Sequence, residues 1–158
     1  MTRVGIGYDS HRFAEGRRLV LGGVEIPSAL GLTGHSDADA VAHAVTDAVL
    51  GAAGAGDIGS LFPDTDPAWK NADSMALLAA AWGRVRERGW RVGNVDVTVL
   101  AERPRIAPYA AAMAAAHAAR LEVEPSAVTV KGKTNEGMGF VGRGEGIAVM
   151  AVALLEAR

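Results

Sequence analysis

The chain has 158 residues, about the size of one domain of roughly 100 to 150 residues, and its 49% apolar and 22% charged content excludes intrinsic disorder. It has no cysteine, which excludes disulfides, thiol catalysis, iron–sulfur clusters and cysteine-type zinc sites, so a metal would have to rely on histidine and carboxylate. A net charge of -2 without a basic run argues against nucleic acid as a partner, and no stretch reaches the ~18 apolar residues of a membrane span, so a cytoplasmic protein with a single domain over 1–158 is expected.

Val4, Ile6 and Tyr8 alternate with Gly5, Gly7 and Asp9, which predicts a strand that runs into a polar loop at Asp9, Ser10 and His11. Leu19–Leu21 and Val24–Ile26 flank Gly22 and Gly23, a pair suited to a tight hairpin turn, and predict a two-stranded ribbon. Val41, Ala42, Val45, Ala48, Val49 and Ala52 recur at helical spacing from a start near Ser36, with Ser36 and Asp39 read as a capping pair. The segment from Asp57 to Trp69 has no period and reads as an ordered functional loop or a lid. A second helix follows from Asn71 to Gly89.

Val95, Val97 and Val99 mark the next strand, and Pro108 opens an alanine-rich helix that ends near Leu121. Val128 and Val130 mark another strand, and the apolar run Ile147–Leu155 reads as a strand buried on both faces. Between them, Gly132 to Gly146 holds six glycines in fifteen residues. The expected fold is α+β, a mixed α/β sandwich: a four-stranded mixed sheet with helices on one face, and the small ribbon beside it. With 31 alanines and only eight aromatics, the core must bring small side chains close together. Three helices cannot cover both faces of such a sheet, so oligomerisation is expected to cover the other.

Asp9 and His11, two apart on a strand, point to the same face, and His43 on the following helix could reach the same place. Two imidazoles and a carboxylate would suit a catalytic zinc with one open position. The competing reading makes Asp9 and His11 turn caps and His43 a satisfied helix residue. Asp47, one turn beyond His43, could accept from its second ring nitrogen or be an ordinary solvated carboxylate. His35 and Ser36 precede the helix, where an anion such as phosphate could dock, although Ser36 could equally be a simple cap. Gly132 to Gly146, with Lys133, Thr134, Asn135, Glu136 and Arg143, could cradle a diphosphate and a divalent cation or be a glycine-rich turn between strands. His117 has no partner at helical spacing and receives no role.

Four blocks in order, Gly5 to Phe13, Gly34 to Asp39, Gly56 to Gly59 with Phe62 to Pro67, and Gly139 to Gly146, resemble the 2-C-methyl-D-erythritol 2,4-cyclodiphosphate synthase family over almost the whole chain. The resemblance implies a cyclisation in which the 2-phosphate of 4-diphosphocytidyl-2-C-methyl-D-erythritol 2-phosphate attacks its own β-phosphorus and expels CMP. It implies zinc on Asp9, His11 and His43, a second divalent cation, Mg²⁺ or Mn²⁺, on Glu136, and transition-state stabilisation by His35 and Thr134. Ser36 would help hold phosphate; Asp57, Ile58 and Gly59 would grip the erythritol portion beside a flap of Phe62, Pro63, Asp64, Thr65 and Asp66. Ala101, Glu102, Arg103, Pro104, Arg105, Ile106 and Ala107 would form the cytidine pocket. Homotrimers with sites between subunits are implied, with Phe140, Arg143 and Glu145 near an axial cavity that can accept an isoprenoid diphosphate. Lys133 and Asn135 stand where threonines are common in the family, Glu102 where glutamine is frequent, and Arg105 where lysine is frequent. A metal-dependent phosphohydrolase and a trimeric isoprenoid-diphosphate-binding protein are the alternatives.

Overall fold

The computed structural model describes residues Met1–Arg158. The first strand, β1, runs over Thr2–Ala14, so Asp9, Ser10 and His11 stand inside it and not in a loop at its end. The reason is the partner strand at the far end of the chain. Asp9 lies opposite Val149, Ser10 opposite Ala148 and His11 opposite Ile147, and a backbone satisfied by such a ladder stays extended whatever its side chains.

The ribbon forms from β2 (Leu19–Leu21) and β3 (Val24–Ile26), with Gly22 and Gly23 at φ 61° and 74°, the left-handed values that glycine adopts freely. Then come β4 (Gly31–Leu32), β5 (Trp90–Leu100), β6 (Val128–Lys133) and β7 (Gly146–Ala157). The main sheet has five strands in the order β4-β1-β7-β5-β6, and of its pairings only β5 with β6 is parallel. The extra strand, β4, pairs with Phe13 and Ala14 and is too short to show a period in the sequence.

The helices are α1 (Ala40–Ala53), α2 (Ile58–Leu61), α3 (Ser74–Glu87), α4 (Ala110–Leu121) and α5 (Gly139–Gly142). The cap of α1 is Asp39, and Ser36 lies outside the helix: the Asp39 carboxylate accepts from the Ala42 N–H at 3.0 Å, and also from Gly22 and Gly23 N–H at 2.8 and 2.7 Å. The ribbon's turn is thereby fastened to the start of α1. Helix α3 likewise begins later than predicted, capped by Asp73. The stretch from Asp57 to Trp69 contains α2 and a short turn at Pro67–Trp69, and the glycine-rich segment contains α5.

Helix α1 packs on β1 and β7, α4 on β6, and α3 against α1 and α4. A Cβ at Gly5 would meet the Ala48 carbonyl oxygen at 2.0 Å, so glycine lets α1 lie directly on the strand. Strand β7 alternates and is not buried on both faces within this chain. Ile147, Val149, Ala151, Ala153 and Leu155 are buried, whereas Met150 and Val152 are 45% and 42% exposed. Tyr8 pairs with Met150, Ile6 with Val152 and Val4 with Leu154, and Val4, Ile6 and Tyr8 are 64%, 71% and 53% exposed. The far side of the sheet is thus an uncovered apolar ladder. No helix is long and apolar enough to cross a membrane.

Candidate active site

Strand β1 presents Asp9 and His11 on one face, and α1, lying across that face, brings His43 to them. Asp9 Oδ2 is 2.8 Å from His11 Nε2 and 2.9 Å from His43 Nδ1, and the two nitrogens are 3.2 Å apart. Burial pushes the Asp9 carboxyl up, but hydrogen bonds and charge from His11 and His43 outweigh it and hold it at about 2. Burial pushes the His11 imidazole down, yet the Asp9 carboxylate and the Thr33 carbonyl together leave it above its ordinary value.

These atoms fit a metal ion. His11 Nδ1 lies 2.7 Å from the Thr33 carbonyl oxygen, which can only accept, so Nδ1 carries the hydrogen and the neutral ring turns a lone pair inward from Nε2. Without a proton on Nε2 that lone pair faces the Asp9 carboxylate oxygen at 2.8 Å, so the place is one that a cation, a proton or in its stead a metal ion, must fill. Zinc bonds of about 2.0 to 2.1 Å in tetrahedral geometry imply ligand–ligand edges of about 3.3 Å, close to the observed triangle. Asp9, His11 and His43 can therefore hold a divalent metal.

His11 and His43 of the triad line a cavity of about 430 Å³ together with Gly34, His35, Ser36, Ile58, Gly59, Phe62, Pro63, Asp64, Trp69 and Leu77. His35 Nε2 donates to the Asp66 carbonyl at 3.2 Å, and the Phe62 ring meets Trp69 edge-on at 5.0 Å, so the segment from Phe62 to Asp66 is fastened over the cavity. Asp57 caps α2 through the Ser60 N–H at 2.7 Å, and Thr65 is exposed beside Asp66.

A separate cavity of about 180 Å³ gathers Ala101, Glu102, Pro104, Arg105, Ile106, Ala107, Gly132, Lys133 and Thr134. Glu102 Oε1 accepts from the Gly137 N–H at 2.8 Å and ties the loop after β5 to the turn carrying Thr134, Asn135 and Glu136. Glu136 is exposed, at φ 55°. Within one chain, then, the Thr134 side and the metal side are not brought into one cavity. Phe140 lines a hollow with Ser10, His11 and Arg12, while Arg143, paired with Glu145 at 2.9 Å, lines another with Phe13, Glu102 and Arg103.

Asp47 does not hold His43. It accepts from the Ile58 N–H at 2.7 Å, because its turn of α1 faces the start of α2, and burial pushes its carboxyl up. The second nitrogen of His43, Nε2, instead lies 2.8 Å from Ser74 Oγ and 3.1 Å from Ser36 Oγ. Ser74 escaped the sequence reading because a serine at a helix start looks like a cap, and 31 residues separate it from His43.

The chain is 58% identical over 154 residues, 98% of its length, to a 2-C-methyl-D-erythritol 2,4-cyclodiphosphate synthase of Dechloromonas aromatica, covering 96% of that protein. The bifunctional IspDF of Campylobacter jejuni superposes with a TM-score of 0.96 at 45% identity, over 100% of this chain and 43% of that one. The IspF–CDP complex of Plasmodium falciparum superposes with a TM-score of 0.87 at 34% identity, over 99% of this chain and 97% of that one. The YgbB family model matches residues 2–156, and the chain belongs to the YgbB family.

Proposed function

We propose that this chain converts 4-diphosphocytidyl-2-C-methyl-D-erythritol 2-phosphate to 2-C-methyl-D-erythritol 2,4-cyclodiphosphate and CMP, in non-mevalonate isoprenoid precursor biosynthesis. The observation that carries the reading is the convergence of Asp9 Oδ2, His11 Nε2 and His43 Nδ1 at the wall of a substrate-sized cavity, in a chain whose relatives bear the synthase's name. An oxygen of the 2-phosphate attacks the β-phosphorus; the bond from that phosphorus to the oxygen bridging it to the α-phosphorus breaks, and CMP leaves with the electron pair. No water enters the product. Zinc on the triad would supply a Lewis acid and an orienting charge for phosphate oxygens.

The side chains of this chain do the rest. Ser36 holds the phosphate, and His35 offers a donor where charge accumulates, once its ring leaves the Asp66 carbonyl for the ligand. Ile58, Gly59 and the Phe62–Asp66 segment enclose the erythritol portion and limit water. The Ala101–Ala107 cavity takes the cytosine, Thr134 donates to the phosphates, and Glu136 would hold Mg²⁺ or Mn²⁺. Since the two cavities are separate in one chain, the complete site forms between subunits of a homotrimer, joined through the apolar ladder of β1 and β7. A single domain and a cytoplasmic location belong to the same proposal, as does an isoprenoid diphosphate near Phe140 and Arg143. Phosphorus NMR of the diphosphocytidyl substrate with purified protein, zinc and Mg²⁺ tests the reading: cyclodiphosphate and CMP should appear together, and an unchanged substrate would refute it.

A further inference from the structure

His43 can present Nδ1 to the point shared with Asp9 and His11 only when its ring hydrogen is on Nε2. On that side stand two hydroxyls, Ser74 Oγ at 2.8 Å and Ser36 Oγ at 3.1 Å. A hydroxyl can donate or accept, so neither contact by itself decides which nitrogen is protonated. Asp37 decides it. The Ser74 hydroxyl is hydrogen-bonded to Asp37 Oδ1, and the Ser74 N–H donates to Oδ2 at 3.2 Å. A carboxylate only accepts, so the single hydroxyl hydrogen of Ser74 points at Asp37. Only lone pairs remain on Ser74 Oγ for His43, and Nε2 must carry the hydrogen.

We propose that Ser74, oriented by Asp37, is the positioning residue that holds His43 in its metal-accepting tautomer, an inference that rests on the metal reading of the triad. Its surroundings leave it little freedom. Ser74 is fully buried at the first position of α3. Asp37 also accepts from the Asp39 N–H at 3.1 Å and donates its own N–H to the Ala72 carbonyl at 3.1 Å, which locks it between the starts of α1 and α3. Ser36 differs: its Oγ accepts from the Ala38 N–H at 3.2 Å, and no carboxylate fixes its hydrogen.

The test is zinc affinity by chelator competition, joined to long-range proton–nitrogen NMR of the zinc-loaded protein. Ser74→Ala should weaken zinc binding by about 10- to 100-fold. Asp37→Asn should weaken it in the same direction, because an amide can donate to Ser74 and turn its hydroxyl toward His43. Ser36→Ala should change it far less. In the zinc-loaded parent, His43 should be metal-bound through Nδ1 with an exchange-protected Nε2–H. Parent-like affinity in both Ser74→Ala and Asp37→Asn, or zinc on His43 Nε2, overturns the proposal. If Ser74→Ala does not fold, Asp37→Asn and the parent spectrum decide. Those results leave the synthase reading untouched, whereas tight zinc binding without turnover defeats that reading and leaves the tautomer device standing.

Discussion

Gly7 of β1 lies so close to α1 that a Cβ there would sit 1.8 Å from the carbonyl oxygen of Ala44, the neighbour of His43. The missing side chain therefore sets how near His43 can come to Asp9, two residues along the same face of the strand.

Gly7→Ala must push the α1 backbone away, since a carbonyl oxygen has no rotamer by which to yield. The expected cost is about 3 kcal/mol of stability, the upper end for overpacked cores, together with weaker zinc binding as the triad opens. Urea unfolding and chelator competition check the two effects.

Ile6, 71% exposed in the middle of the apolar ladder, should be the most sensitive position of the proposed subunit contact. Ile6→Glu places a charge among Val4, Tyr8, Met150 and Val152, and no energetic gain from the folded chain opposes it. Sedimentation should show trimer in the parent and monomer in the variant, with turnover lost because the two cavities no longer meet.

His43→Ala should lose both zinc and turnover, whereas Thr134→Ala should keep zinc and slow the chemical step. Metal content and single-turnover rates separate the two. An unchanged rate in Thr134→Ala would remove that residue from the mechanism.

His117 makes the chain sensitive to acid. It is fully buried, its Nδ1–H donates to the Met113 carbonyl at 2.8 Å, and its Nε2 has no partner. Burial pushes the imidazole below its ordinary value, against the pull of the Asp39 carboxylate. The folded chain thus takes up this proton less readily than the unfolded one. Its contribution to stability is present above the ordinary imidazole value of about 6.5 and is lost as pH falls below it. Urea midpoints at about pH 7.5 and about pH 5.5 should fall on acidification, and less so in His117→Leu.

Much of this architecture is legible in the residues, for reasons that are local. The alternation at Val95, Val97 and Val99, the ribbon around Gly22 and Gly23, and the apolar stripe of α1 each encode their element in a short window. The pairing of Asp9 with His11 is legible because a two-residue spacing keeps one face whether the strand continues or stops. What stayed hidden depends on distant partners. The polar end of β1 is extended only because β7 pairs with it, β7 alternates only because helices cover one side, and Asp37 and Ser74 meet across 37 residues. Asp47 misled through its helical spacing from His43, since spacing records which residues share a side of a helix and not what lies opposite.

Turnover in water enriched in oxygen-18, with the products weighed by mass spectrometry, tests the central claim most directly. Ring closure by the substrate's own phosphate predicts cyclodiphosphate and CMP that both carry no solvent oxygen. A linear product bearing one heavy oxygen would show that the metal centre activates water, and would contradict the account.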